Sequence, residues 1–290
     1  MTLQELLSLT LVIFMAGNLL DMGFRLKLND AMGALRNVRF VVFSLLWGFI
    51  VGPALAFLLA RTVPILPPYA NGLILIGMTP CAPFLPMMVD RARGDLGYAA
   101  ALMLLTSVIT VVYMPIAVPL MIPGLTAGAW AIARPLVYFI VLPLLIGGAL
   151  RATYRGLAER IDPYVRRVTV VDTLFMLVLC VLVFGKDFWG AIGSFAIGTQ
   201  MLYYLILTLA AYWLSPGLPP SQRSVLALGM ATRNLGAAFA PLLAIDGIDR
   251  RATVMVAIGA PLTVIGALLT AHWCARRATP ATSGAMPATA

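Results

Sequence analysis

Residues 224–245 read SVLALGMATRNLGAAFAPLLAI. The stretch is long enough to cross a bilayer, and it is almost wholly apolar. At its centre stand Thr232, Arg233 and Asn234, followed by Gly236 and Pro241. An arginine at the middle of a membrane helix costs about 2.5–3.5 kcal/mol on insertion scales. It is kept only where a partner, a cavity or a function holds it. A second stretch, TPCAPFLP at 79–86, carries Pro80, Pro83 and Pro86. A proline removes a backbone donor and clashes with the turn before it. This spacing therefore predicts a helix unwound or sharply kinked near its middle. Two interrupted hydrophobic segments, one in each half of a chain, are the pattern of a transporter binding site.

Composition agrees with a membrane setting. The chain has 290 residues, 61% hydrophobic and 11% charged, with a mean hydropathy of +0.97. Soluble domains carry roughly 25% charged residues. The first apolar run begins almost at once, with Glu5 in place of a basic leader, so the first helix is expected to insert and stay. Cys81, Cys180 and Cys274 are odd in number and far apart, and neither a disulfide framework nor a metal spacing follows from them. The net charge of +9 is accounted for by membrane topology, and no nucleic-acid partner is expected.

Runs long enough to span fall at 3–23, 39–60, 69–89, 96–122, 131–150, 167–185, 189–213, 223–245 and 252–274. Backbone groups in lipid must be satisfied within the segment, so an all-α polytopic membrane protein of nine transmembrane helices is expected. The broken helices are 69–89 and 223–245. They are an odd number of spans apart, which implies inverted repeats, with one extra helix in the second half. Residues 1–277 form a single transmembrane domain, and 278–290 have the composition of a disordered tail.

Orientation follows from lysine and arginine. One set of alternate loops holds fourteen: Arg25, Lys27, Arg36, Arg39, Arg91, Arg93, Arg151, Arg155, Arg160, Arg166, Arg167, Arg223, Arg276 and Arg277. The opposite set holds five: Arg61, Arg134, Lys186, Arg250 and Arg251. The expected placement is a bacterial inner membrane with the N-terminus outside and the C-terminus inside. Arg233 is the cation left over.

Several stretches resemble the bile acid:sodium symporter family. MGFRLKLND at 22–30 is similar to the Met-Gly-x-x-Leu end of its first shared helix. Phe49 and Pro53 in WGFIVGP match a Gln-Phe…Pro pattern. TPCAPFLPMMVDRARGD at 79–95 resembles the Cys-Pro-Gly-Gly…Ala-Arg-Gly-Asn/Asp segment. VLPLLIGGALR at 141–151 looks like the Leu-Pro-x-x-x-Gly element, and GMATRNLGAA at 229–238 like Glu-x-Gly-x-Gln-Asn-Ser-Gly. The resemblance implies two inverted repeats, a panel and a core, and two broken helices crossing at mid-membrane.

It also implies sodium ions held by oxygens around the crossover, and here this chain departs. The family's Ser-Asn pair after the first break falls on Leu85 and Pro86. The Ser and Thr of the next helix fall on Ala99 and Met103, and the Gln of the earlier helix on Gly48. The Glu of the second broken helix falls on Gly229 and its Gln on Arg233. Only the next Asn persists, as Asn234. A guanidinium at 233 takes the place of the cation, with donors for carbonyls freed at the breaks. It would also attract a carboxylate, which arginine grips bidentately. The alternative is a structural ion pair, for which Asp21 and Asp172 are the candidates; both are also candidates for proton coupling, with Asp172 the first to test.

The expected function is a secondary transporter or facilitator of a small organic anion, not using the family's sodium sites. Arg233, Asn234, Thr232, Pro80, Cys81, Pro83 and Asn18 are the candidate substrate residues. Rival readings are a sodium-coupled symporter with backbone ion ligands and a membrane sensor or scaffold. The coupling ion, sodium or proton, stays open. Thr106, Ser107, Thr110, Gln200, Tyr203, Tyr204, Tyr212 and His272 read as packing or interfacial residues. The sequence carries no nucleotide loop, catalytic triad, carboxylate pair or metal cluster, so neither enzymatic activity nor a cofactor is expected. The charge bias predicts that a reporter active only outside the cell, fused after Arg277, stays silent. Activity there would reverse the topology.

Overall fold

The computed structural model describes residues 2–25, 28–122, 128–244 and 249–278. Among them there is no strand, and helices follow one another with short connections. They are α1 (Leu3–Arg25), α2 (Leu28–Leu35), α3 (Val38–Thr62), α4 (Pro67–Met78), α5 (Leu85–Arg91) and α6 (Leu96–Met121), then α7 (Ala129–Thr153), α8 (Arg155–Ala191), α9 (Ala196–Trp213), α10 (Pro220–Ala231), α11 (Leu235–Ala244) and α12 (Arg250–Arg277). Six of these, α1, α3, α6, α7, α8 and α12, are long and apolar enough to cross a membrane. The expected tail, 278–290, lies outside the described residues apart from Ala278.

Both interruptions read from the sequence are present. The segment 69–89 is divided into α4 and α5, with Thr79 leaving the helical region at φ −78°, ψ 155°. The segment 223–245 is divided into α10 and α11, with Thr232 extended at φ −111°, ψ 93°. These short helices are buried all round: Leu73 to Met78 and Ser224 to Ala231 are without exception buried. α8, in contrast, exposes Val170, Val171, Leu174, Phe175, Val178 and Leu182 on one face. A helix apolar on its outer face suits lipid, and one apolar on every side suits a core.

Two boundaries differ from the expectation. α8 starts at Arg155 instead of 167, so Arg160, Arg166 and Arg167 lie on a helical extension, where Arg155 pairs with Glu159 at 2.9 Å one turn on. α9 starts at Ala196 because the chain turns at Gly193, with φ +85°, and at Phe195, with φ +62°. α3 and α7 each contain a π-helical stretch, Leu46–Val51 and Val137–Val141, a local widening often found at functional sites.

α1 lies against both α7 and α8. Its contact with α7 is backbone to backbone at two glycines. A Cβ on Gly23 would stand 2.6 Å from the Leu144 carbonyl and 2.8 Å from Gly147 Cα. A Cβ on Gly147 would stand 2.5 Å from the Leu20 carbonyl. Small residues let membrane helices approach in this way. Backbone atoms cannot swing aside, so Gly147→Ala should destabilise by about 1–3 kcal/mol through overpacking. Gly148, next in sequence, has nothing within 4 Å of an added Cβ. The expected result is a lowered melting temperature in detergent for Gly147→Ala and an unchanged or raised one for Gly148→Ala. Equal behaviour of the two would mean that the helices do not meet at Gly23 and Gly147.

Candidate functional site

Breaking two helices in an apolar core leaves backbone donors and acceptors with no helical partner. The two breaks supply each other. Ala82 N donates to the Thr232 carbonyl at 2.7 Å, and Asn234 N donates to the Pro80 carbonyl at 2.8 Å. The result is a single antiparallel β-bridge between Cys81 and Arg233. Hydroxyls close the remaining ends. Thr79 Oγ1 donates to the Ile76 carbonyl at 2.8 Å and Thr232 Oγ1 to the Leu228 carbonyl at 2.7 Å. From α12, Thr263 Oγ1 donates to the Ala231 carbonyl at 2.8 Å and accepts from Arg233 N at 3.3 Å. Asn234 Oδ1 accepts from Ala237 N at 3.3 Å and caps α11. Cys81 Sγ lies 3.3 Å from Thr106 Oγ1. Thus Pro80, Cys81, Thr232, Arg233 and Asn234 come together as one unit.

Arg233 is 1% exposed. Its Nη1 donates to the Thr79 carbonyl at 2.7 Å and its Nη2 to Met230 Sδ at 3.5 Å. Gly52 makes the space: a Cβ there would stand 2.5 Å from Nη2. Arg233 Nε and the hydroxyls of Tyr203 and Tyr204 are buried without a hydrogen-bond partner among the described residues. Among the described residues no carboxylate lies within ion-pair distance of it.

The two acids proposed as partners are elsewhere. Asp21 pairs with Arg25 at 3.2 Å. Asp172 is buried in α8, and its Oδ2 has no partner among the described residues.

At four of the positions where the resemblance places sodium ligands, Leu85, Ala99, Met103 and Gly229, hydrocarbon is packed instead. Leu85 and Ala99 are fully buried and Met103 is 1% exposed. At Gly229 the space of a longer side chain is taken by Leu102 Cδ2. These apolar residues are packed, and at the pair of breaks a guanidinium is bound to the Thr79 carbonyl.

A separate cavity of about 330 Å³ opens beside the first break. Asn18, Asp21, Arg25, Pro83, Phe84, Pro86, Met103, Arg166 and Thr169 are among the residues lining it. Asn18 Nδ2 is held by the Phe14 carbonyl at 2.7 Å, which leaves its Oδ1 free to face the cavity. Arg25 is engaged by Asp21 and Asp162, each at 3.2 Å. Arg166 has no ion pair among the described residues. Of the candidate substrate residues, Asn18 and Pro83 line this cavity, whereas Arg233 and its neighbours lie behind the break. Sequence reading missed Arg166 and Thr169. Their spacing of three on α8, continued at Asp172, was the available signal.

Comparison with known proteins places this site in context. A family model described as the Sodium Bile acid symporter family matches residues 10–189. That match contains the first break and all but the last two residues of α8, while the second break lies beyond it. Over 153 residues the chain is 26% identical to a chloroplastic protein of Arabidopsis thaliana named as probable sodium/metabolite cotransporter BASS1. The shared region is 52% of this chain and 38% of that protein, so the chain spans well under half of this relative's length.

Removing Arg233 should reveal what holds it. Arg233→Ala leaves the Thr79 carbonyl unpaired, and loss of a charged hydrogen bond costs about 1.5–3 kcal/mol. The melting temperature should fall. Because Asp172 is not its partner, adding Asp172→Asn should act additively, as independent sites do. Recovery of stability in the double variant would restore the structural pair.

Proposed function

The chain belongs to the sodium bile acid symporter family, a family of transporters and not of enzymes, and from that premise we propose that it is a secondary transporter or facilitator of a small organic anion in which Arg233 replaces the sodium ions. It is an integral membrane protein. In this reading it works as one transmembrane domain over 1–277, with nine spans, inverted repeats and the two breaks crossing at mid-membrane. It sits in a bacterial inner membrane with the N-terminus outside. The paired breaks and their buried setting support the repeat arrangement.

The observation that carries the proposal is the bond from Arg233 Nη1 to the Thr79 carbonyl. A carbonyl freed by a helix break is a natural ligand for a hard cation. Here it already accepts a hydrogen bond from a positive group that the chain itself carries. The hydrocarbon at Leu85, Ala99, Met103 and Gly229 leaves an incoming ion without side-chain oxygens.

The substrate occupies the cavity beside Pro83. Its carboxylate meets Arg166, its polar atoms meet Asn18 and Thr169, and its apolar body lies on Phe84, Pro86 and Met103. Arg233 acts from behind the break as a fixed charge. If a proton is the coupling ion, Asp172, on the helix that carries Arg166 and Thr169, and Asp21, which lines the cavity, are the acids to test.

The relative's name favours a second reading, sodium coupling through backbone carbonyls alone. One experiment separates the two. Purified protein is screened by thermal shift against small carboxylates, and the affinity of a stabilising carboxylate is measured in sodium chloride and in choline chloride at equal ionic strength. The proposal expects the two affinities to agree within about twofold. A tenfold loss in choline, about 1.4 kcal/mol, would establish the sodium-coupled reading instead.

A further inference from the structure

Another cavity, of about 220 Å³, shares no lining residue with the one beside Pro83. It forms where four parts of the chain meet: the turn after α5, the C-terminal end of α9, the start of α10 and the C-terminal end of α12. Arg93, Arg277, Ser221, Ser224 and Tyr212 bring polar groups to its wall. No carboxylate side chain is among the lining residues. Neither arginine takes part in an ion pair among the described residues.

The fold places both guanidinium groups. Arg277 lies over the rings of Trp273 and Trp213, 4.6 and 4.9 Å from their centroids. Those indoles and Tyr212 pack edge to face as one aromatic cluster. Contact with ring faces holds the charge and leaves the N–H donors unspent. Arg93 is placed by its backbone. α5 closes with Gly94 N donating to the Val89 carbonyl at 2.9 Å, and Arg93 stands inside that turn at φ +54°. This is the position after a helix that glycine usually fills. The turn rests on the start of α10, where a Cβ on Gly94 would stand 3.4 Å from the Ser221 carbonyl. Glycine at 93 would suit the turn better, so what arginine contributes there is its side chain, and that side chain lines the cavity.

We propose that this cavity binds a phosphate ester, its anionic oxygens shared between the guanidinium groups of Arg93 and Arg277, with the Ser221 hydroxyl as a further donor. Ser224 Oγ is already spent on the Pro220 carbonyl at 2.9 Å and serves as wall. Two planar forks with no carboxylate between them suit a group that presents several charged oxygens at once. The surroundings favour a phospholipid headgroup as its source. Trp213 and Leu214 are exposed beside the cavity. Indoles collect at the level of lipid headgroups, and basic pockets between membrane helices take anionic ones. A soluble phosphate ester presents the same group without the apolar tails. The site is independent of Arg233 and of the coupling ion. It joins the ends of α5 and α10, one from each broken pair, to α12, so a bound ligand braces both broken helices from one side of the protein.

The test uses the full chain, purified in detergent and stripped of lipid, at constant ionic strength. Its melting temperature is followed while one of three probes is titrated: dioctanoyl phosphatidylglycerol, dioctanoylglycerol, which has the same tails and no phosphate, or glycerol 3-phosphate. The expected result is a saturable rise with phosphatidylglycerol and none with dioctanoylglycerol. A rise with glycerol 3-phosphate at similar concentration would identify the soluble ester as the source, and its absence the lipid. Arg93→Gly should melt, without ligand, at the same or a higher temperature, because it relieves the turn. Its half-saturating phosphatidylglycerol concentration should nevertheless increase at least tenfold, as should that of Arg277→Gln. Arg276→Gln removes the same charge one residue away, outside the cavity lining, and should leave it unchanged. If Arg277→Gln does not fold, Arg93→Gly and the wild-type titrations decide. The proposal is overturned if neither phosphate probe raises the melting temperature, or if dioctanoylglycerol acts as well as phosphatidylglycerol. A response that Arg93→Gly leaves untouched, or that Arg276→Gln weakens as much, would overturn it too.

Discussion

The structure depends on the pairing of two broken helices through one antiparallel bridge. A single break in a dry core would leave several carbonyls and amides with nothing to bond, each costing about 1–3 kcal/mol. Two breaks set against each other remove most of that cost. The Pro80 and Thr232 carbonyls accept from the opposite chain, and Thr79, Thr232 and Thr263 supply hydroxyls for what the bridge does not reach. The bridge therefore fixes the relative height of α4/α5 and α10/α11, and it places residues 79–86 against both the core and the cavity.

Arg233 follows from the same constraint. The Thr79 carbonyl points into the core at the end of α4 and requires a donor or a cation. A guanidinium satisfies it from within the chain, but introduces a permanent charge where no described carboxylate can balance it. The neighbouring positions have adjusted. Gly52 makes room for the guanidinium, while Leu102 occupies the space at Gly229. Under the proposed reading the two fit together: an arginine needs volume on one side, and hydrocarbon fills the volume that ion ligands would use on the other.

Much of this was legible in the sequence because it is written in residue types with strong local effects. Pro80, Pro83 and Pro86 cannot sit in an undistorted helix, and the triplet Thr232-Arg233-Asn234 cannot sit in lipid unmet, so both breaks were readable. The motif glycines at 23 and 147 were readable as separate elements, though not as each other's contact. What failed to show was apposition. The direction of the Arg233 side chain is a tertiary fact: the sequence places the charge at the break, but only packing against Gly52 and Met230 turns it into the core and away from the cavity. Gln200, Tyr203 and Tyr204 read from the sequence only as packing or interfacial residues, because a helical period does not say what a face meets. Arg166 and Thr169 were assigned to a loop and a helix start because the charges of 155–167 mask a helix that continues, through Pro163, well past the apolar run.

The arrangement bears on how transport is driven. In a sodium-coupled carrier the ion at the break comes and goes, so its binding energy is available to the cycle. Under the reading proposed here the cation is covalent and never leaves. Pro83 and Pro86 line the cavity, while Cys81 and Ala82, in the same short stretch, hold the bridge to Arg233 and Thr232. The charge behind the break and the substrate in front of it thus act on one piece of backbone. A ligand shifts a conformational equilibrium only by its differential affinity for the two states. A fixed guanidinium adds the same term whether the cavity is full or empty, and so supplies no gradient. Under that reading the work comes from the substrate's own gradient or from an ion bound elsewhere, and a fixed charge at the break only sets the baseline against which the substrate acts.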